Sequence, residues 1–299
     1  MEKFDKKKTI LYLIWSFAIA YAIQAGVAVL YQKGQAQIGQ LVMAGMMFVP
    51  LLSVLLAGGS LRGMGWKPKL KGNAAALLAA WFLPAVLTVV GGALYFLIFP
   101  AHFDTSGAAL SAQTGEDVMA ELSKQGMTYP MYILVTGISS VTFAPLLNMF
   151  AAVGEEAGWR GFLYPQLNAR FGKRTAYILG GVIWGAWHFP LIWLIGYEYG
   201  TDYIGFPVVG MLVFAVCTAA LGILCAALYE KTPIIWIPAI FHGAFNAIAA
   251  LPLMLCVPDI GSNRLLGPAP NGLLSEIPTL IIAAVIFIKA GAKTKKKEQ

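Results

Sequence analysis

Glu155-Glu156-x-x-x-Arg160, Trp184-x-x-x-His188 and His242-x-x-x-Asn246 place carboxylates, a guanidinium, imidazoles and an amide inside some of the most apolar stretches of this chain. Such groups are expensive at membrane depth, so each is retained either for chemistry or for pairing with another. A carboxylate can take a proton from water, an imidazole can hold that water, and an amide can donate to the negative charge that forms on an attacked carbonyl. Together they are the parts of a water-activating hydrolase.

Elements that could hold them together follow from composition. With 59% hydrophobic and 12% charged residues and a mean hydropathy of +0.72, the chain is too apolar for a soluble globular domain. Apolar runs long enough to cross roughly 30 Å of hydrocarbon fall at residues 9–31, 39–57, 74–99, 131–164, 176–195, 206–228, 234–257 and 277–290. The fold predicted is all-α, a polytopic membrane bundle of about eight transmembrane helices. It forms a single membrane-embedded domain over residues 1–299, with the motif core at 145–250. The first run is too long for a signal-peptide core and no small-residue cleavage pattern follows it, so it is read as retained.

Lysine and arginine set the orientation, because they accumulate on cytoplasmic flanks. With a cytoplasmic N-terminus, only Lys33, Lys124 and Arg264 of the 21 Lys and Arg fall outside. The basic groups, among them Arg62, Lys67, Arg170, Lys173, Arg174, Lys231 and the tail with Lys296 and Lys297, then line the inner face. Both termini are expected in the cytoplasm, with 101–129 outside and a prokaryotic cell membrane as the location. The net charge of +7 is explained by attraction to anionic lipid and needs no nucleic acid. Cys217, Cys225 and Cys256 show no C-x-x-C spacing and read as small apolar residues of a bundle. His102 is an ordinary surface imidazole.

At ~1.5 Å per residue from the predicted inner edges, Glu155 lies ~16 Å deep, His188 ~18 Å and His242 ~12 Å, so three spans present polar groups at similar depth. Helical phase, at about 100° per residue, sets Glu156 and Arg160 on one face and turns Glu155 to another, near Asn148. Pro190 after His188 implies a kink whose freed carbonyl needs a partner. Blander readings exist for every group. Glu156 with Arg160 reads as a structural ion pair, and His188, His242 and Asn246 could be interhelical glue. A non-catalytic immunity or scaffold protein, or a proton-coupled transporter, could use the same cluster, although no inverted repeat is visible.

The three motifs, in this order and on successive apolar segments, resemble those of the CPBP family, the CAAX prenyl proteases and bacteriocin-processing proteins also called Abi proteins. Trp184 stands where phenylalanine is commoner. The resemblance implies an intramembrane endopeptidase with a cavity open to the cytoplasm. In it, Glu155 and His188 would activate water, His242 and Asn246 would stabilise the oxyanion, and Glu156 and Arg160 would brace the site. It implies a peptide or membrane-protein substrate, prenylated or not. Either no cofactor is needed or a zinc ion is held by Glu155, His188 and His242; no His-Glu-x-x-His helix favours zinc.

Overall fold

A computed structural model describes residues 3–69 and 71–295, with side chains described as far as Gly291. Lys296 and Lys297 of the predicted basic tail lie outside the described residues. Helix α1 (Lys6–Gln32) starts where the Asp5 carboxylate accepts from the Lys8 N–H at 3.0 Å. Helices α2 (Ala36–Met46), α3 (Val49–Leu56) and α4 (Ala74–Ile98) follow, then the short α5 (Ala108–Thr114) and α6 (Val118–Lys124). Next come α7 (Tyr129–Thr142), α8 (Ala144–Gly158), a π-helical turn (Trp159–Leu163) and α9 (Tyr164–Phe171). The rest of the bundle is α10 (Lys173–Trp187), α11 (Phe189–Ile195), α12 (Val208–Lys231), α13 (Trp236–Ile248) and α14 (Ile277–Lys295).

The molecule is all-helical, as expected, but fewer of its spans are straight than the apolar runs suggest. Among the described residues five helical stretches are long and apolar enough to cross a membrane, and counting each of two bent pairs as one span raises the total to seven. The eighth predicted span is the shorter apolar helix Ile277–Gly291. The run at 39–57 bends by 41° between α2 and α3, and the run at 131–164 bends by 50° between α7 and α8. Hydropathy averages across such joints and does not register them.

Prolines explain the breaks that matter to the motifs. Pro145, in the first turn of α8, has no N–H for the Val141 carbonyl, and that oxygen instead accepts from Trp81 Nε1 on α4 at 2.8 Å. Pro190 likewise deprives the Ala186 carbonyl, which accepts from Tyr21 Oη on α1 at 2.9 Å. Gln24 completes this second joint. Its amide nitrogen donates to the Trp187 carbonyl at 2.7 Å while its oxygen accepts from the Leu191 N–H at 3.2 Å. One buried side chain thus stands in for the helical rung between Trp187 and Leu191, and His188 sits inside the gap.

Close packing fixes the site helices. A Cβ on Gly243 of α13 would come within 2.6 Å of the Met149 backbone, and one on Gly181 of α10 within 2.3 Å of Ala219 on α12. Backbones approach this closely only over glycine, the usual device where lipid supplies no hydrophobic drive. Hydrogen bonds also define the two ends of the bundle. Asp5 with Gln166, Met64 with Ile235, Arg174 with Phe287, and Glu230 with Tyr164 and Lys173 gather the basic end. His102 with Val257, Tyr129 with Met254, Tyr199 with Asn271 and Ile204 with Ser262 gather the opposite end.

Candidate active site

Helix α8 delivers two adjacent carboxylates, both buried, in different directions. Glu156 Oε1 accepts from Arg160 Nη1 at 2.9 Å, the i,i+4 pair expected from phase. The same oxygen meets His242 Nδ1 at 3.0 Å. Glu156 is therefore shared between the ion pair and an imidazole on another helix, a link invisible in one-dimensional spacing.

Glu155 turns away and is held by indoles. Its Oε2 accepts from Trp159 Nε1 at 3.1 Å and from Trp184 Nε1 at 2.6 Å. Among the described residues no donor is bonded to Oε1. Trp159 opens the π-helical turn, whose wider register is a frequent mark of functional sites. The departure from phenylalanine at 184 is consequential, since a phenyl ring could not donate to Glu155. The Trp184 ring also lies under the Arg160 guanidinium, 4.4 Å from its centroid, and edge-on to His242 at 5.1 Å. Sequence reading took Trp184 for an apolar marker and overlooked Trp159; an indole N–H within helical reach of a buried carboxylate was the available signal.

His188 occupies the joint between α10 and α11. Its Nδ1 lies 3.0 Å from the Trp184 carbonyl, and its ring stacks parallel to Tyr197 at 6.2 Å. A carbonyl only accepts, so Nδ1 carries a hydrogen and Nε2 is the nitrogen left for the cavity. His242 is also bonded through Nδ1, but to a carboxylate. That partner fixes the ring and leaves Nε2 toward the cavity. The Asn246 amide, exposed one turn beyond, has no partner among the described residues.

Glu155, His188, His242 and Asn246 all line one cavity of about 480 Å³, together with Asn148, Trp184, Tyr197, Glu198 and Asn271. Met43, Met46 and Met47 of the broken α2–α3 pair form a pliable apolar wall. Its reach toward Glu198 and Asn271 brings the cavity to the basic-poor end.

Among the described residues no group of three or more His, Cys, Asp or Glu side chains could hold a metal ion. Glu155 Oε2 is already committed to two N–H donors.

Residues 137–248, which contain all three motifs, match the model of the Type II CAAX prenyl endopeptidase Rce1-like family. Over 57 residues the chain is 44% identical to CAAX prenyl protease 2 of Methanococcus maripaludis. That stretch covers 18% of this chain and spans about a fifth, 21%, of the relative.

Proposed function

We propose that this chain, a multi-pass membrane protein whose residues 137–248 place it in the Rce1-like CAAX prenyl endopeptidase (CPBP) family, hydrolyses peptide bonds inside the bundle with a water activated by Glu155 and His188. The observation that carries the reading is a single cavity onto which a carboxylate with one uncommitted oxygen, a carbonyl-backed imidazole, a carboxylate-backed imidazole and an uncommitted amide all converge.

The chemistry runs as follows. Water lies between Glu155 Oε1 and His188 Nε2, which accept its two hydrogens and aim an oxygen lone pair at the substrate carbonyl. As the C–O bond forms, one proton passes to Glu155. The carbonyl oxygen becomes an oxyanion facing His242 Nε2–H and the Asn246 amide. Collapse breaks the C–N bond, and Glu155 returns its proton to the leaving nitrogen. Glu156 orients His242 and is itself held by Arg160. Trp159 and Trp184 fix the carboxylate so that little reorganisation is needed during attack. The substrate is a peptide or the tail of a membrane protein, with or without a prenyl group, that enters from the bilayer. The four side chains suffice for this sequence of steps, so no metal is invoked.

The test is mass spectrometry of peptides incubated with purified protein in liposomes in ¹⁸O-water. Internal cuts with one label at the new carboxyl terminus, lost in Glu155→Gln, are expected. Cleavage that persists in Glu155→Gln, or none in the wild type, would reject the reading. Turnover is expected to survive exhaustive chelation; its loss, restored by stoichiometric zinc, would reinstate a metal.

A further inference from the structure

Residues 196–200 read Gly-Tyr-Glu-Tyr-Gly, and the chain turns left-handed at every second one, with φ of +66° at Gly196, +67° at Glu198 and +72° at Gly200. Glycine takes such angles freely, whereas a glutamate there is strained. The Tyr199 N–H bonds back to the Tyr197 carbonyl at 2.9 Å, so Glu198 is the centre of a γ-turn of the rarer, strained hand. The Gly200 N–H reaches the Gly196 carbonyl at 2.7 Å and locks the loop.

This strain sets a carboxylate at a wall common to two cavities. Glu198 lines the catalytic cavity and also a second one of about 470 Å³ bounded by Gln113, Leu253, Pro258 and Arg264. It faces the Tyr197 hydroxyl and the Asn271 amide. Among the described residues it forms no ion pair; Arg264 donates to the Pro258 carbonyl instead. Among its lining residues the catalytic cavity has two carboxylates, Glu155 and Glu198, and no Lys or Arg. Burial pushes the Glu198 carboxyl up from its ordinary range, so its charged form gains when a cation arrives.

We propose that Glu198 is a specificity-determining residue: it receives a Lys or Arg side chain of the substrate flanking the cleaved bond, on the part of the peptide that passes toward the second cavity. The inference rests on the endopeptidase reading for its substrate, but recognition can be measured without cleavage.

Two peptides that differ only in Lys or norleucine at one flanking position serve as probes, and the position is scanned. On full-length protein in liposomes, kcat/KM for the Lys peptide should exceed that for norleucine by about tenfold or more at one position. In Glu198→Gln and in Glu198→Gly the ratio should collapse to near one. Glycine also relieves the left-handed strain, so a rise in Tm separates lost selectivity from lost folding. A purely structural residue would lower both peptides together and leave the ratio intact. The same ratio is read as Kd on a Glu155→Gln background, with and without Glu198→Gln. If nothing is cleaved but the Kd ratio collapses, the endopeptidase reading fails and Glu198 stands. A ratio that survives Glu198→Gln in binding, or no preference for Lys at any position, overturns the proposal.

Discussion

His188 and His242 each bond through Nδ1 to an oxygen 3.0 Å away, but one oxygen belongs to the Trp184 backbone and the other to the Glu156 carboxylate. The carbonyl can only accept, so it takes the Nδ1 hydrogen of the first ring. The carboxylate is itself tied to Arg160 and holds the second ring by Nδ1. Two residues of one type, on one cavity, are thus held by different oxygens, and the proposed water-holding and charge-stabilising sides rest on that difference. The division is made by the atoms behind them, as in other sites where an orienting acid fixes an imidazole.

Breaking the water-holding side should have the largest effect. Glu155→Gln keeps shape and both indole contacts but cannot take a proton; we expect turnover to fall by about 10²–10⁴-fold with the melting temperature unchanged. Full activity in this variant would move the base elsewhere. On the opposite side, Asn246→Ala removes one donor, and kcat should drop by about 10²–10³-fold with KM little altered. A rise in KM with kcat intact would make Asn246 a substrate contact.

Glu156→Gln probes what divides the two rings, and it should fail mainly through stability. It leaves Arg160 and His242 without their shared carboxylate at membrane depth, a loss of about 3–5 kcal/mol. Lower yield and Tm with residual activity in the folded fraction are expected, and Glu156→Gln combined with Arg160→Gln should recover part of the Tm. Folded, fully stable but inactive Glu156→Gln would reverse the roles of the adjacent glutamates. Trp184→Phe is gentler, removing one of two donors to Glu155 while an aromatic ring remains. A loss of about tenfold in kcat is expected, the size of one modest hydrogen bond; an unchanged kcat would leave Trp159 as the sufficient clamp. Smallest of all, Ser123→Cys should leave turnover untouched and report orientation. Labelling by an impermeant reagent in intact cells is expected if the basic end is cytoplasmic, and labelling only after lysis would turn the bundle over.

Much of this was legible in the chain. Apolar run length identifies the helices because backbone in lipid must satisfy itself. The four-residue spacings put Glu156 toward Arg160 and swung Glu155 aside, and both relations hold in the structure. The bends were not legible, because Pro145 and Met47 stand in runs whose average hydropathy is unaffected by a change of direction. Nor were Trp159 and Trp184 as donors, since hydropathy weighs an indole as a ring and not as an N–H. The Glu156–His242 contact spans 86 positions and depends on α8 and α13 meeting over Gly243. Glu198 hid for the opposite reason: a charged residue between glycines reads as an ordinary loop, and only its φ betrays it.

Gln24 has a consequence for how the protein is made. Helix α1 precedes α10 and α11 in the chain, so its amide enters the bilayer long before the Trp187 carbonyl and the Leu191 N–H exist to receive it. An unpaired amide in hydrocarbon costs several kcal/mol, which gives the waiting helix a standing preference for the one partner that can satisfy both ends of that side chain. Docking of α1 is then also the event that closes the joint around His188. A nascent chain would carry the side chains of this cavity through biogenesis in an unaligned state until its first and later segments have found each other.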